Sequence, residues 1–456
     1  MESIQLRQIA QALRTDCPAD CAISNIVTDT SQVTPGALFV AIKGERFDGH
    51  DFAPKAEELG AAAILGERPL PVGIPVLQVA STRSALIELA RWYRGLFHTF
   101  VVGVTGSVGK TSTKDMICSV LQMSGRTLKT MGNLNNGIGL PKTIFRLDSS
   151  YKNAVIEMGM SHAGEISLLT RAARPSVGVI TNIGVSHIEN LGSKENILKA
   201  KLEITEGMSS TAPLVLNADD KLLAEVYNQL ERDIIYYGID SSTADVQAVN
   251  IREQDGCTIF GIRFYGKMVT AMIPVLGRHN VYNALAAFSV GLAAGMSPDD
   301  IVEGLRTYAP SAMRQNIIRL PNGITVIADC YNASPDSMKA SLSVLDGFRK
   351  AKRRVAVLGE MLELGSFAEE MHRKVGRYVA RNQIDALFVI GEHAGAMEES
   401  ALASRHLLTR RFETREEMAS YLRVWLRPGD AVLYKASRGM RLEEVIGAVH
   451  GIKLEH

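Results

Sequence analysis

Charge of one sign is the first thing this sequence lacks. Lysine plus arginine number 50 and aspartate plus glutamate 49 over 456 residues. No overall field therefore recruits a nucleic-acid backbone or an anionic membrane, and any anion site has to be built locally. Long apolar runs are missing too. No stretch approaches the roughly 18 apolar residues of a spanning helix. The first turns, MESIQLRQIAQALR, carry charge where a secretory leader would be unbroken and apolar, so a cytoplasmic protein is expected. Cysteine is sparse and scattered: Cys17, Cys21, Cys118, Cys257 and Cys330 form neither an even set nor two ligand pairs at zinc spacing, which points to reduced thiols. No repeat of fixed period and no low-complexity tract is present. What remains, 46% hydrophobic and 22% charged, is globular material long enough for about three domains.

One stretch organises the chain. In Val101–Thr113, VVGVTGSVGKTST, β-branched residues stop at a turn holding Gly106, Ser107, Val108 and Gly109, and Lys110, Thr111 and Ser112 open a helix. This is the shorter Gly-x-x-Gly-Lys-Thr-Ser form of a phosphate loop, because the full Gly-x-x-x-x-Gly-Lys pattern would need glycine at Val104. Glycines let backbone N–H groups converge on an anion, the helix start adds partial positive charge, Lys110 reaches β- and γ-phosphates, and the Thr111 hydroxyl suits Mg²⁺.

Residues 1–98 read as a small N-terminal α/β domain with strands at Ala37–Ile42 and Ala61–Leu65 and a helix over Arg83–Phe97. Its polar turn holds Lys43, Asp48 and His50 beside Gly44 and Gly49, a make-up that suits a polar ligand and equally suits a bare exposed loop. Residues 99–310 read as a central P-loop, mononucleotide-binding domain. Strands at Val155–Gly159, Val177–Ile183 and Leu214–Asn217 alternate with helices at Glu165–Arg174 and Ser193–Gly207, the mark of a parallel sheet. Antiparallel hairpins are expected around Asp255-Gly256 and Tyr265-Gly266, then helices over His279–Gly295 and Pro298–Tyr308. Residues 311–453 read as a C-terminal Rossmann-like α/β domain with strands at Ile324–Asp329, Val355–Gly359, Ala386–Gly391 and Ala431–Tyr434. The stretch 454–456 looks like a cloning remnant.

Ligands sit at the carboxyl ends of strands in such sheets. Thr111 follows the first central strand, Glu157 closes the second and His187 lies past the third, so all three should meet in one crevice. A glutamate ending an apolar strand is costly to bury unless a cation relieves it.

In order along the chain, Thr105–Ser112, Asn133-Leu134-Asn135-Asn136, Glu157-Met158-Gly159, Thr181-Asn182-Ile183 with His187, Lys201, Gly277–Asn280 with Asn283, Tyr331-Asn332-Ala333 with Pro335, and Gly359–Gly365 together resemble the Mur ligase family across all three units. The last-unit signatures are most similar to the branch acting on a UDP-linked muramoyl tripeptide and D-Ala-D-Ala. Ala328 and Ser334 depart from residues common there, Asp and Asn, and leave Asp329 in place. The resemblance implies an ATP-dependent acid–amine ligase of peptidoglycan precursor synthesis, working through an acyl phosphate. It also implies two Mg²⁺ ions, a monomer, small-molecule substrates, no nucleic acid and no membrane insertion.

It further implies Lys110, Glu157, His187 and Lys201 as catalytic residues, with Lys201 carbamylated and Thr111, Glu157, His187 and Lys201 around metal. Asn280, Arg314 and Asp329 match positions holding adenine and ribose. Thr30, Ser31, Lys43, Asp48, Gly49 and His50 would take the uridine diphosphate end, Asn135 and Asn136 the sugar-peptide, and Asn332, Ser334 and Arg438 the dipeptide. Two rivals have distinct marks. A folate-polyglutamate ligase of the same superfamily fits the middle unit but not the Asp48-Gly49-His50 turn. A nucleotide-switched binding protein or transport ATPase normally closes the metal-side strand with Asp, where Glu157 stands here.

Overall fold

The computed structural model describes residues 1–228, 230–404 and 407–454. Of the expected cloning remnant, Glu455 and His456 lie outside the described residues. The first sheet is four-stranded and parallel, in the order β1 (Asn25–Val27), β2 (Ala37–Val40), β3 (Ala61–Gly66), β4 (Val76–Gln78). Every residue of β2 is buried, which explains its unbroken apolar text.

Helix α1 (Thr82–Arg94) opens where Ser81 accepts the Ser84 N–H and stops at Gly95, short of the expected Phe97. It joins the first sheet to the central unit. Tyr93 donates its buried hydroxyl to Leu147 O (2.8 Å), and Arg94 donates to Ala173 O, Phe97 O and Thr99 O. One apolar core therefore runs from Leu38 and Leu65 through Leu86 and Leu89 to Val101 and Ile156.

The central sheet has nine strands. Along the chain these run β5 (Phe100–Thr105), α2 (Lys110–Gln122), β6 (Thr127–Lys129), α3 (Gly139–Ile144), β7 (Asn153–Glu157), α4 (Glu165–Ala173), β8 (Val177–Ile180), α5 (Lys194–Leu202), β9 (Leu214–Asn217), β10 (Ile234–Gly238), β11 (Val246–Gln254), β12 (Cys257–Phe264) and β13 (Lys267–Ile273). Across the sheet the order is β6-β7-β5-β8-β9-β10-β11-β12-β13, parallel as far as β11 and antiparallel beyond it. Both hairpins are where the sequence puts them. Asp255 and Gly256 have φ of +53° and +86°, Tyr265 and Gly266 +43° and +76°, so each turn carries two left-handed residues, as tight hairpins between right-twisted strands require. The helix expected over 193–207 is α5 followed by a 3-10 turn, Glu203–Gly207, where the Glu203 carboxylate accepts the Gly164 and Ser167 N–H groups at the start of α4.

Helices α6 (Arg278–Ala293) and α7 (Pro298–Arg306) press α2 onto the sheet. The third unit follows as β14 (Asn316–Arg319), β15 (Thr325–Ala328), α8 (Pro335–Asp346), β16 (Arg353–Leu358), α9 (Ala368–Arg381), β17 (Ala386–Ile390), α10 (Ala394–Leu402), β18 (Leu408–Phe412), α11 (Arg415–Trp425), β19 (Asp430–Lys435) and α12 (Leu442–His450). Its sheet order is β14-β15-β19-β16-β17-β18, with only β14 antiparallel. The last strand thus slots between β15 and β16, and the loops after these three share one rim. Among the described residues no helix is long and apolar enough to cross a membrane.

The packing that seats α2 leaves no slack. A Cβ at Gly304 on α7 would stand 2.5 Å from Val120 Cα on α2, and backbone cannot yield as a flexible side chain does. Gly304→Ala is expected to cost about 1–3 kcal/mol and lower the urea midpoint followed by circular dichroism; an unchanged midpoint contradicts the close approach.

Candidate active site

The loop after β5 is held by the strand beside it. Thr181 and Asn182, just past β8, give a hydroxyl (2.6 Å) and an amide (2.8 Å) to Val108 O, while Asn182 Oδ1 accepts the Val108 N–H (2.9 Å) and Asn182 O the Ser107 N–H (3.0 Å). Gly106 has φ +147°, and a Cβ there would overlap the Thr181 hydroxyl. Ser107 and Val108 therefore shape the cradle, their amides already engaged. The N–H groups at the start of α2, which have no intrahelical acceptor, are the ones left for an anion. Thr181 and Asn182 are not among the residues the sequence assigns to the site, because their role is a cross-strand contact, invisible to local pattern.

Lys110 Nζ donates to Gly106 O (2.8 Å). Burial lowers its pKa, while the neighbouring Glu157 charge pulls the other way. Glu157, buried at the end of β7, accepts from Asn135 Nδ2 through Oε1 (2.8 Å). Its other oxygen, Oε2, has no hydrogen-bond partner among the described residues, the nearest cation being Lys114 Nζ at 3.8 Å. A buried carboxylate oxygen left over in this way suits a hard cation.

Lys201 on α5 is only 1% exposed. Burial first, and then the charge of nearby Lys110, push its pKa well below the ordinary lysine value. His187, at φ +62°, sits at the cleft with Nδ1 3.1 Å from Glu363 Oε2 of the third unit. That hydrogen bond holds the Glu363 carboxyl below its ordinary range.

A cavity of about 370 Å³ lies between the central and third units, lined by Gly109, Ser112, Asn280, Arg314, Gln315 and Asp329 among others. Asn280 donates to Leu276 O (2.8 Å) and Gln315 Oε1 (2.5 Å), and its Oδ1 accepts from Asn283. Asp329 receives Lys435 Nζ (2.7 Å), the Ser341 hydroxyl and the Gln315 N–H (3.2 Å). Gln315 is a residue that sequence reasoning misses. Its buried Nε2 has no partner among the described residues and its φ is +51°, features only the folded chain reveals. Arg314, which also lines this cavity, stacks on Tyr331 and brings Nη2 to 3.2 Å from Thr111 Oγ1.

The outlying candidates divide. Asp48 and His50 knit their own turn: Asp48 Oδ1 accepts His50 Nδ1 (2.5 Å) and N–H (3.0 Å), and buried His50 Nε2 accepts the Glu67 N–H (2.9 Å). Gly49 is there because a Cβ would meet Ile42 N at 2.6 Å. Lys43 and Ser31 stay exposed and Thr30 half-buried. Asn136 Oδ1 accepts the Ile138 and Gly139 N–H groups just before and at the start of α3, and Ser334 caps α8 by accepting from Ser337. Arg438 pairs with Glu443 (2.6 Å), and Asn332 is exposed.

Family models match the chain in series: the catalytic domain of the Mur ligase family over 22–94, the Mur ligase middle domain over 104–291, and the Mur ligase glutamate ligase domain over 313–438. The UDP-N-acetylmuramoyl-tripeptide–D-alanyl-D-alanine ligase of Bacillus subtilis is 40% identical over 93% of this chain and 92% of its own; that of Escherichia coli is 36% identical over 98% and 99%. Among solved structures, MurF from Acinetobacter baumannii superposes with a TM-score of 0.92 at 31% identity, over 99% of this chain and 100% of that one. MurF ligase from Thermotoga maritima in complex with ADP gives 0.84 at 31% identity, over 93% and 96%. With three family models in sequence order and such relatives matched nearly end to end, the chain belongs to the Mur ligase family.

Proposed function

We propose that this protein is an ATP-dependent ligase that joins D-Ala-D-Ala to UDP-N-acetylmuramoyl-tripeptide in peptidoglycan precursor synthesis. Support comes from end-to-end likeness to relatives bearing that activity in their names. The single observation that carries the chemistry is Glu157 Oε2, buried near Lys110 at the end of its strand with no hydrogen-bond partner among the described residues.

A carboxylate and an ammonium do not condense in water. In the proposed reaction a carboxylate oxygen of the tripeptide bonds to the γ-phosphorus of ATP as the bond to the β-phosphate oxygen breaks, leaving ADP and an acyl phosphate. The dipeptide's neutral amine then attacks the acyl carbon, the C–O bond to phosphate breaks, and the amine proton leaves to solvent. Lys110 and the free amides at the start of α2 hold the β- and γ-phosphates, and Arg314 stands by at Thr111. Asn280 and Asp329 face the nucleoside. Thr111 and Glu157 would hold one Mg²⁺, and His187 with Lys201 a second; the ions supply charge neutralisation at the transferring phosphoryl oxygens. A lysine kept neutral by burial can add CO₂, losing a proton and becoming an anionic carbamate. That converts Lys201 from a buried amine into a group suited to a cation's shell.

Purified protein given ATP, Mg²⁺, D-Ala-D-Ala and the lysine or the diaminopimelate UDP-tripeptide should yield one product heavier by the dipeptide less water. Phosphate release that needs neither acid nor amine would instead mark a nucleotide switch and overturn the assignment. Lys110→Ala is expected to lower turnover by about 10³-fold. Lys201→Ala should leave a weak enzyme partly restored by short carboxylic acids, and should remove the carbamate carbon signal seen by NMR under ¹³C-labelled CO₂. Absence of that signal from the unaltered protein would refute the carbamate.

A further inference from the structure

Behind the cleft, the third unit holds a second group of ionisable side chains. Glu360 follows β16, His372 lies on α9, and His393 lies in the turn between β17 and α10; the first two are buried and the third half-buried. Glu360 Oε1 accepts from His393 Nδ1 (2.5 Å), and Oε2 accepts the His393 backbone N–H (3.1 Å). The two imidazoles stack with centroids 5.2 Å apart. Gly391, at φ +126°, makes the arrangement possible, because a Cβ there would overlap Glu360 Oε2. His372 Nδ1 donates to Ala368 O (2.7 Å), leaving its Nε2 lone pair to accept the Met361 N–H (3.0 Å). A cation would have to displace Met361 from one imidazole and the proton from the other. The three groups are thus a bracket, joined by the Glu360–His393 hydrogen bonds, the His372–Met361 hydrogen bond and the stacking of the two rings, and not a metal cage.

The bracket grips residues 360–365. Met361 N–H goes to His372, Leu362 N–H to Ser437 Oγ (2.9 Å), and Glu360 O accepts the Ser437 N–H (2.9 Å); Met361 and Leu364 are buried. Glu363 is turned out of this anchored loop, at φ +63°, onto His187 at φ +62°. Two left-handed non-glycine residues meeting across units are conformations that persist only when the surroundings impose them. Next to that contact, a Cβ at Gly365 would stand 2.9 Å from Glu189 Cγ.

We infer that Glu360, His372 and His393 are positioning residues for the proposed ligase reaction, fixing the 360–365 loop so that Glu363 meets His187 as the third unit docks on the phosphate loop. This rests on the functional reading above. Without the bracket the loop samples other conformations, and the docked arrangement must be ordered anew in each turnover.

A double-mutant cycle tests it, with kcat and KM measured for the unaltered enzyme, His393→Ala, Glu363→Ala and the double variant. His393 is half-buried, so its alanine variant leaves no large cavity, and melting temperatures report whether it folds. Each single change should lower kcat/KM roughly ten- to a hundredfold, and the double should be no worse than Glu363→Ala alone. His393→Gln, which can still donate to Glu360, should recover most of the loss. Losses that multiply, or a silent His393→Ala, would overturn the inference. Hydrogen exchange provides a readout independent of turnover: the Met361 and Leu362 amides should exchange faster in His393→Ala than in the unaltered chain. If the unaltered chain fails to ligate while exchange behaves in this way, the functional reading fails and the bracket stands; unchanged exchange refutes the bracket.

Discussion

Everything in the central unit is arranged around a concentration of charge where parallel strands end. The start of α2 offers unsatisfied amides, half-buried Lys110 opens it, and the Glu157 carboxylate acts on Lys110 with one oxygen lacking a hydrogen-bond partner among the described residues. Separately each of these costs free energy to bury. Together they form a concentration of charge suited to a nucleotide polyphosphate, which is what marks the site as functional. The surrounding packing keeps these groups from relaxing: α7 holds α2 at backbone contact distance, α6 packs on it, and Thr181 and Asn182 pin the loop from the adjacent strand.

The third unit supplies what the first two lack. Arg314 reaches Thr111, Glu363 reaches His187, and Asp329, held by Lys435 and Ser341, closes the cavity opposite Asn280. Splitting one site across two sheets makes its assembly depend on their relative position, which suits a reaction whose acyl phosphate must be kept from water. The first unit differs in being joined to the centre by a continuous apolar core through α1 and by the carbonyls that Arg94 grips. A shared core of this kind resists independent motion far more than a polar cleft does.

Individual candidates show where local reading works. The two hairpins are legible because a left-handed pair such as Asp255-Gly256 is a local requirement. The phosphate loop is legible for the same reason, its glycines and Lys110 lying within one turn. The edge strands β14 and β18 are not, since Leu408–Phe412 reads LTRRF, with too little apolar text to mark a strand until β17 pairs with it. Two of the candidate ligand groups also have a local use: Ser334 caps α8, and Asn136 Oδ1 accepts the Ile138 and Gly139 N–H groups.

By itself the sequence determined the alternation of strands and helices, the phosphate loop, and the carboxylate and imidazole at the ends of the next two strands, because periodicity and turn chemistry act over a few residues. Only the tertiary structure decided which oxygen of Glu157 has no hydrogen-bond partner among the described residues, that Lys201 is buried, that Arg314 reaches Thr111, and that Glu363 is delivered to His187. Those are contacts between residues far apart in the chain, and their energies come from burial and mutual placement, which no local pattern encodes.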